Sequence, residues 1–130
     1  MSVALLLITH EQIAHSLLTT AHNILSRPVD NAIAIEVPMD APPETIRAQA
    51  SRQLSTLEID SGLLILTDLI GSTPYNVATQ IKADQKEAIV ISGLNLPMLL
   101  KLANYRELPL TELADKAVLG GQSGIDKHEQ

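Results

Sequence analysis

The chain has 130 residues, the size of one domain with a core of its own. It contains no cysteine, which excludes disulfide bonds and thiolate chemistry. Acidic residues outnumber basic residues 15 to 9, and the net charge of −6 argues against nucleic acid or an anionic membrane as partner and favours a basic protein.

The first predicted element is a buried strand over residues 3–8, which are apolar without alternation. This run is too short to span a bilayer and no basic segment precedes it, so we expect a soluble, cytoplasmic protein. Thr9 and Gln12 have the spacing of a capping box, which predicts a helix with Thr9 as its N-cap. On that helix His10 lies at the end of the apolar stripe, so its ring is expected to face inward at the edge of the sheet.

Strands and helices alternate along the rest of the chain. Further strands are predicted over residues 32–37, 63–66 and 87–92. Helices are predicted over about 40–57, 74–84 and 98–102, and from a Thr111 cap to a stop at Gly120 and Gly121. Asp68 stands just beyond the third strand. It is followed by the small-residue loop Gly71, Ser72 and Thr73, which leads into a helix at Pro74.

Four apolar strands alternating with helices predict an α/β fold with a central parallel sheet flanked by helices. Right-handed crossovers and small size favour the flavodoxin-like strand order 2-1-3-4. In that order the helices after strands one and three lie on opposite faces, and the topological switch point lies between the carboxyl ends of those strands. His10 and Asp68 are therefore expected to meet there.

A carboxylate on one ring nitrogen holds a histidine in one tautomer and leaves the other nitrogen free as a nucleophile or base. A phosphoryl group arriving at His10 would lie between two helix N-termini, where the amides and hydroxyls of Ser72 and Thr73 are candidate ligands. No P-loop or dinucleotide fingerprint is present, so no nucleotide cofactor is expected.

Other interpretations fit the same residues. His10 alone fits a structural histidine, and the turn before Pro74 fits a simple helix cap. A receiver domain is disfavoured because strand one ends in Thr9 and His10 rather than in acids. A serine hydrolase lacks its Gly-x-Ser-x-Gly elbow, and a zinc site at His15 and His22 lacks further ligands.

Three segments of the chain resemble the mannose-family enzyme IIA of the bacterial phosphoenolpyruvate:sugar phosphotransferase system. They are the strand that ends in Ile8-Thr9-His10, the block Leu66-Thr67-Asp68-Leu69-Ile70-Gly71-Ser72-Thr73-Pro74-Tyr75-Asn76, and Ile91-Ser92-Gly93-Leu94-Asn95-Leu96-Pro97-Met98. The likeness covers essentially the whole chain, which suggests that residues 1–130 form one enzyme IIA domain.

The resemblance implies a role for each of these positions. His10 would accept a phosphoryl group from phospho-HPr on Nε2 and pass it to an enzyme IIB, and Asp68 would orient the ring through Nδ1. Gly71, Ser72 and Thr73 would shape the phosphate cradle; Thr73 takes the family's usual serine position, and Ser72 stands where many members have glycine.

The resemblance also implies partners. The apolar residues Leu69 and Ile70 would belong to a docking surface, and the membrane permease would be reached only indirectly. The family forms homodimers that exchange an antiparallel edge strand, for which residues 123–127 are the candidate here. We therefore expect a phosphocarrier without metal or other cofactor. A regulatory protein whose phosphorylation state is read by a partner, and an inert binding module, are the alternatives.

Overall fold

Four parallel strands form the central sheet of the computed structural model, which describes residues 2–129. The strands are β1 (Ala4–His10), β2 (Ala32–Val37), β3 (Leu63–Thr67) and β4 (Ala88–Ile91), and they lie in the order β2-β1-β3-β4. This order confirms the predicted flavodoxin-like arrangement. Since β1 is flanked by β2 and β3, its carboxyl end lies in the middle of the edge where the site is expected.

Five helices cover the two faces of this sheet. They are α1 (Ile13–Leu25), α2 (Pro43–Leu54), α3 (Thr73–Ala83), α4 (Leu96–Asn104) and α5 (Leu110–Ser123). In the described part of the chain, no helix combines the length and the apolar character that a membrane crossing requires.

The core is divided by the sheet into two apolar layers. Leu5 and Leu7 of β1 pack with α1, α4 and α5, whereas Leu6 and Ile8 pack with α2 and α3. Residues on alternate sides of a strand face opposite layers, so a strand buried on both sides must be apolar throughout. The helices after β1 and β3 thus lie on opposite faces, as predicted, and both begin at the edge that carries His10.

The predicted start of α1 is wrong. Strand β1 does not end at Ile8, because it continues to pair with β2 through His10, whose register partner is Val37. Helix α1 therefore begins at Ile13, with Gln12 in the N-cap position. His10 is the last residue of a strand rather than part of a helix, which overturns the argument from helical periodicity about its orientation.

The predicted end of α5 is also wrong. Gly120 and Gly121 lie inside the helix, which continues to Ser123. Their role is close packing on α4: a Cβ added at Gly120 would lie 2.6 Å from Cβ of Lys101. The glycines therefore mark a helix contact, not a helix stop. Helix α2 ends at Leu54, three residues before the predicted end at Leu57.

We expect the substitution Gly120→Ala to lower the free energy of unfolding by about 1–2 kcal/mol. Overpacking of this kind costs about 1–3 kcal/mol, and Lys101 cannot relieve it by rotation because its Cβ is fixed to the backbone of α4. The gain of up to about 1 kcal/mol in helix propensity only partly offsets that cost. Urea denaturation measures the difference. Gln122→Ala on the exposed side of α5 is the control, and unchanged or increased stability of Gly120→Ala would contradict the assigned contact.

The exchanged edge strand stays a prediction. Ser123 is the last residue of α5, and residues 124–129 form neither helix nor strand within this single chain. A strand that pairs only in a dimer is not tested by one chain.

Candidate functional site

The carboxyl ends of β1 and β3 bring His10 and Asp68 into direct contact. Nδ1 of His10 lies 2.8 Å from Oδ2 of Asp68, and the backbone N–H of His10 donates to the same oxygen at 3.1 Å. The His10 side chain is 30% exposed and that of Asp68 12% exposed. His10 is therefore the more accessible member of the pair.

This geometry fixes the ring of His10. An ionised carboxylate only accepts hydrogen bonds, so in the neutral imidazole this contact favours the tautomer with its proton on Nδ1 and its lone pair on Nε2. The other oxygen of Asp68, Oδ1, is buried without a hydrogen-bond partner among residues 2–129. Both hydrogen bonds of the Asp68 side chain are thus made to His10, and they set the orientation of the ring and of its Nε2 atom.

The N-terminus of α1 is closed by side chains of the protein itself. The Thr9 hydroxyl accepts the amide of Ala14 at 2.9 Å and donates to the carbonyl of His10 at 2.7 Å. The carboxylate of Glu36, from β2, accepts the amide of His15 at 3.1 Å. Because these first-turn donors are engaged, α1 offers less to an anion than the sequence suggested.

The N-terminus of α3 has no such closure. Ser72 is its N-cap but forms no cap hydrogen bond, because its hydroxyl donates back to the carbonyl of Leu69 at 2.6 Å. Pro74 at the second helical position has no N–H. The amides of Thr73 and Tyr75 therefore have no acceptor within the described residues. Of the two helices that begin beside the His10–Asp68 pair, α3 is the one whose free N-terminal amides are suited to bind an anion.

Glycine is required at the turn before α3. Gly71 has φ of +82°, a conformation that residues with a Cβ rarely adopt, and a Cβ added there would meet nothing within 4 Å. The requirement is therefore conformational rather than steric. Ser72 itself is extended, with φ of −84° and ψ of 173°, so its Cβ does not distort the loop. Gly71, Ser72 and Thr73 form the turn into α3 and its first residue, and their role as a phosphate cradle stays a prediction.

Glu36 is the site-adjacent residue whose role the sequence did not reveal. It was apparent only as an acid in an otherwise apolar strand, which suggested lower burial. Its contact with His15 depends on the parallel register of β1 and β2, in which Glu36 lies opposite Thr9. A single acidic residue near the carboxyl end of a predicted strand is the signal that would have indicated a helix-capping role.

A cavity of about 300 Å³ lies at the opposite edge of the sheet, away from His10 and Asp68. Arg106 and Arg27 line it, and both use their guanidinium groups on backbone carbonyls, including those of Asp30 and Ala103. Burial lowers the pKa of Arg106, an effect that Asp30 and Glu107 oppose. Arg106 thus anchors the loops at that edge of the sheet.

Comparison with protein families gives one match that covers most of the chain. The model of the EIIA-man family, described as the PTS system fructose IIA component, matches residues 4–118. The mannose-specific EIIAB component of Escherichia coli strain K12 is 32% identical over 127 residues. That alignment covers 96% of this chain but 39% of the relative, so the chain spans well under half of that protein. The sorbose-specific EIIA component of Lacticaseibacillus casei is 34% identical over 80 residues, 58% of each chain.

Solved structures show the same architecture. The mannose/sorbose specific IIA subunit of the phosphotransferase system from Enterococcus faecalis superposes with a TM-score of 0.89 and 25% identity, covering 100% of this chain and 97% of that one. The phosphotransferase system component EIIA from Streptococcus agalactiae gives a TM-score of 0.85 at 23% identity over 96% of each chain. The second likeness supports the fold alone.

Proposed function

The chain belongs to the EIIA-man family of phosphotransferase-system components, and from this premise we propose that it is a phosphocarrier that uses His10. Membership gives the coarse role, a phosphotransfer component of a sugar phosphotransferase system. The finer proposal is that His10 accepts a phosphoryl group from phospho-HPr and passes it to an enzyme IIB. The observation that carries it is the 2.8 Å contact between Nδ1 of His10 and Asp68, which leaves Nε2 free.

In the first step the lone pair of Nε2 attacks the phosphorus of the donor's phosphohistidine. The new P–Nε2 bond forms as the P–N bond on the donor breaks, and the electron pair of the broken bond stays on the donor's imidazole. Asp68 keeps the proton on Nδ1 and stabilises the positive charge that develops on the His10 ring. In the second step the nucleophile of enzyme IIB attacks the phosphorus. The P–Nε2 bond breaks, and its electron pair returns to Nε2 of His10.

The N-terminus of α3 supports the phosphoryl oxygens in this proposal. The amides of Thr73 and Tyr75 and the Thr73 hydroxyl are donors that have no acceptor among residues 2–129. Ser72 contributes the shape of the loop, since its hydroxyl proton is engaged with Leu69 and its amide is 3.3 Å from the same carbonyl. Phosphoryl transfer depends mainly on such positioning and charge stabilisation, because little covalent chemistry is required of the protein.

Incubation with phosphoenolpyruvate, enzyme I and HPr tests the proposal. We expect one acid-labile phosphate per chain, located on His10 by mass spectrometry of peptides kept at neutral or alkaline pH. Addition of an enzyme IIB of the mannose family should then remove it. Absence of phosphate, or phosphate on another residue, would overturn the phosphocarrier proposal. Phosphate that remains on His10 in the presence of enzyme IIB would favour the regulatory alternative.

We further propose that the chain forms a homodimer along β4. This strand is the last in the sheet order, so its outer edge has no neighbour within the described residues. Val118, Leu119 and Ile125 leave apolar surface exposed on α5 and just beyond it, and Ile125 is 78% exposed. An open edge beside apolar surface is suited to strand addition. Sedimentation equilibrium should give the mass of two chains, and a monomer at micromolar concentration would contradict the dimer.

A further inference from the structure

Glu36 is the only aspartate, glutamate, lysine or arginine within the four strands. Its neighbours Ile35 and Val37 are buried in the layer of α2 and α3, so the side chain of Glu36 points to the other face of the sheet, toward α1. There it accepts the amide of His15 at 3.1 Å, and among residues 2–129 it forms no ion pair with lysine or arginine. The counter-charge of this carboxylate is therefore the positive N-terminal end of α1.

Helix α1 has no charge of its own at this end. Its N-cap Gln12 forms no side-chain cap hydrogen bond, and its first turn contains no acidic residue. The same is true of α3, which has Ser72 as its N-cap. Amides of α1 are accepted instead by Thr9, which is neutral, and by Glu36. Of the two helix N-termini beside His10, only that of α1 is thus hydrogen-bonded to a charged side chain among the described residues, and this charge disfavours an anion there.

The register of the sheet brings Glu36 close to the proposed nucleophile. Glu36 lies opposite Thr9, and the next pair in the same register is Val37 opposite His10. A phosphoryl group carries a charge of about −2 at neutral pH. The carboxylate of Glu36 therefore repels such a group from the α1 side of His10 and raises the free energy of the phosphorylated state relative to the free one. In a carrier, this destabilisation favours release of the group to the next acceptor.

We propose that Glu36 is a positioning residue for phosphoryl transfer, an inference that rests on the proposed function. Because its carboxylate occupies the N-terminus of α1, it directs the phosphoryl group of His10 toward the amides of α3. Its charge also lowers the stability of phosphorylated His10, so that the group passes on more readily. Glu36 makes no bond to phosphorus in either step, since the bond to phosphorus in this chain is made by Nε2 of His10 alone.

Phosphoryl exchange with HPr tests the effect of the charge. Glu36→Gln keeps an oxygen that can accept the His15 amide and removes the charge, so a purely structural cap would be preserved. We expect the exchange equilibrium to move about two- to fivefold toward the phosphorylated chain, the effect of one charge at a helix terminus. Glu112→Gln is the matched control. Glu112 lies in the first turn of α5, which begins beside Gly62 at the amino ends of the strands, so this substitution should leave the equilibrium unchanged.

Titration with inorganic phosphate tests the directing role without any transfer reaction. In NMR spectra of the wild type, phosphate should shift the amide signals of Thr73 and Tyr75 and leave that of His15 unchanged. In Glu36→Ala the His15 amide loses its acceptor, so its signal should shift as well. A His15 signal that responds in the wild type, or that stays unchanged in Glu36→Ala, overturns the directing role. Circular dichroism checks the fold of each variant, and Glu36→Gln decides the proposal by itself if Glu36→Ala is unfolded.

The two measurements separate this inference from the proposed function. If the wild type takes up phosphate and Glu36→Gln has the same exchange equilibrium, the role of Glu36 in transfer is overturned and the phosphocarrier proposal stands. If the wild type takes up no phosphate, the phosphocarrier proposal fails and the effect of Glu36 on transfer fails with it, while the phosphate titration still decides whether Glu36 controls where an anion binds. An equal shift of the equilibrium in Glu112→Gln would show an effect of net charge alone, and this too would overturn the inference.

Discussion

Replacement of His10 by alanine should abolish the uptake of acid-labile phosphate completely. The methyl group has no lone pair, and among the described residues no other side chain is hydrogen-bonded to Asp68 to act as a substitute nucleophile. The fold should survive, because the His10 side chain is partly exposed at a strand end and its backbone amide still reaches Asp68. Intact mass after incubation with phosphoenolpyruvate, enzyme I and HPr measures the loss, and circular dichroism checks the fold.

The chain contains its own controls for this experiment. His15 lies exposed on α1 and His128 lies exposed in the C-terminal segment, so His15→Ala and His128→Ala remove the same side chain away from Asp68. Both should take up phosphate as the wild type does. A His10→Ala protein that still carries acid-labile phosphate, or a loss caused by His15→Ala or His128→Ala, would show that another residue is the acceptor.

The arrangement of the sheet was predictable because a strand buried on both sides has a recognisable sequence pattern. Residues 3–8 and 63–66 are apolar without alternation, and only a strand covered by helices on both faces needs that pattern. Topology then brings the strand ends together, so the contact between His10 and Asp68 follows from two positions 58 residues apart. The contact between His10 and Asp68 therefore depends on the strand order more than on the local sequence around either residue.

The errors have a common physical cause. Thr9 and Gln12 match a capping box locally, but pairing of β1 with β2 keeps Thr9 extended and moves the helix start to Ile13. Gly120 and Gly121 match a helix end, but their small size serves the contact with α4. Glu36 looks like a sign of exposure, yet it caps α1. In each case the residue's role is set by a neighbouring element, which local patterns do not contain.

These tertiary contacts also change where the phosphate is expected. From sequence, both helix N-termini beside His10 were available to an anion. In the structure, Thr9 and Glu36 accept hydrogen bonds from amides of the first turn of α1. Helix α3 has no side-chain cap, and the hydroxyl of Ser72 donates to the carbonyl of Leu69 instead. We therefore expect an anion on Nε2 to be held by the amides of Thr73 and Tyr75 rather than by those of α1.

The substitution Asp68→Asn should keep the fold and slow phosphoryl transfer by roughly 10- to 100-fold, by analogy with the loss of the carboxylate that orients a metal-binding histidine. One amide orientation keeps an oxygen toward Nδ1 and the His10 amide but places an NH₂ group at the buried position of Oδ1, where no described residue accepts from it. The other orientation points NH₂ at the His10 amide and favours the tautomer with the proton on Nε2, which blocks the nucleophile. Either way the negative charge that stabilises the phosphorylated ring is gone.

Rapid-quench measurement of phosphate transfer from phospho-HPr tests this expectation, with Asp40→Asn as the control. Asp40 is an exposed acid at the same edge of the sheet, so its substitution removes the same charge without touching His10. If loss of net charge alone were responsible, both variants would weaken transfer through KM, and high salt would remove the difference from wild type. A role in orientation predicts instead a lower kcat for Asp68→Asn at every salt concentration and little change for Asp40→Asn. A wild-type kcat in Asp68→Asn would mean that the contact with Oδ2 is not needed for transfer. The orientation of the His10 ring would then be set by the backbone at the end of β1 alone.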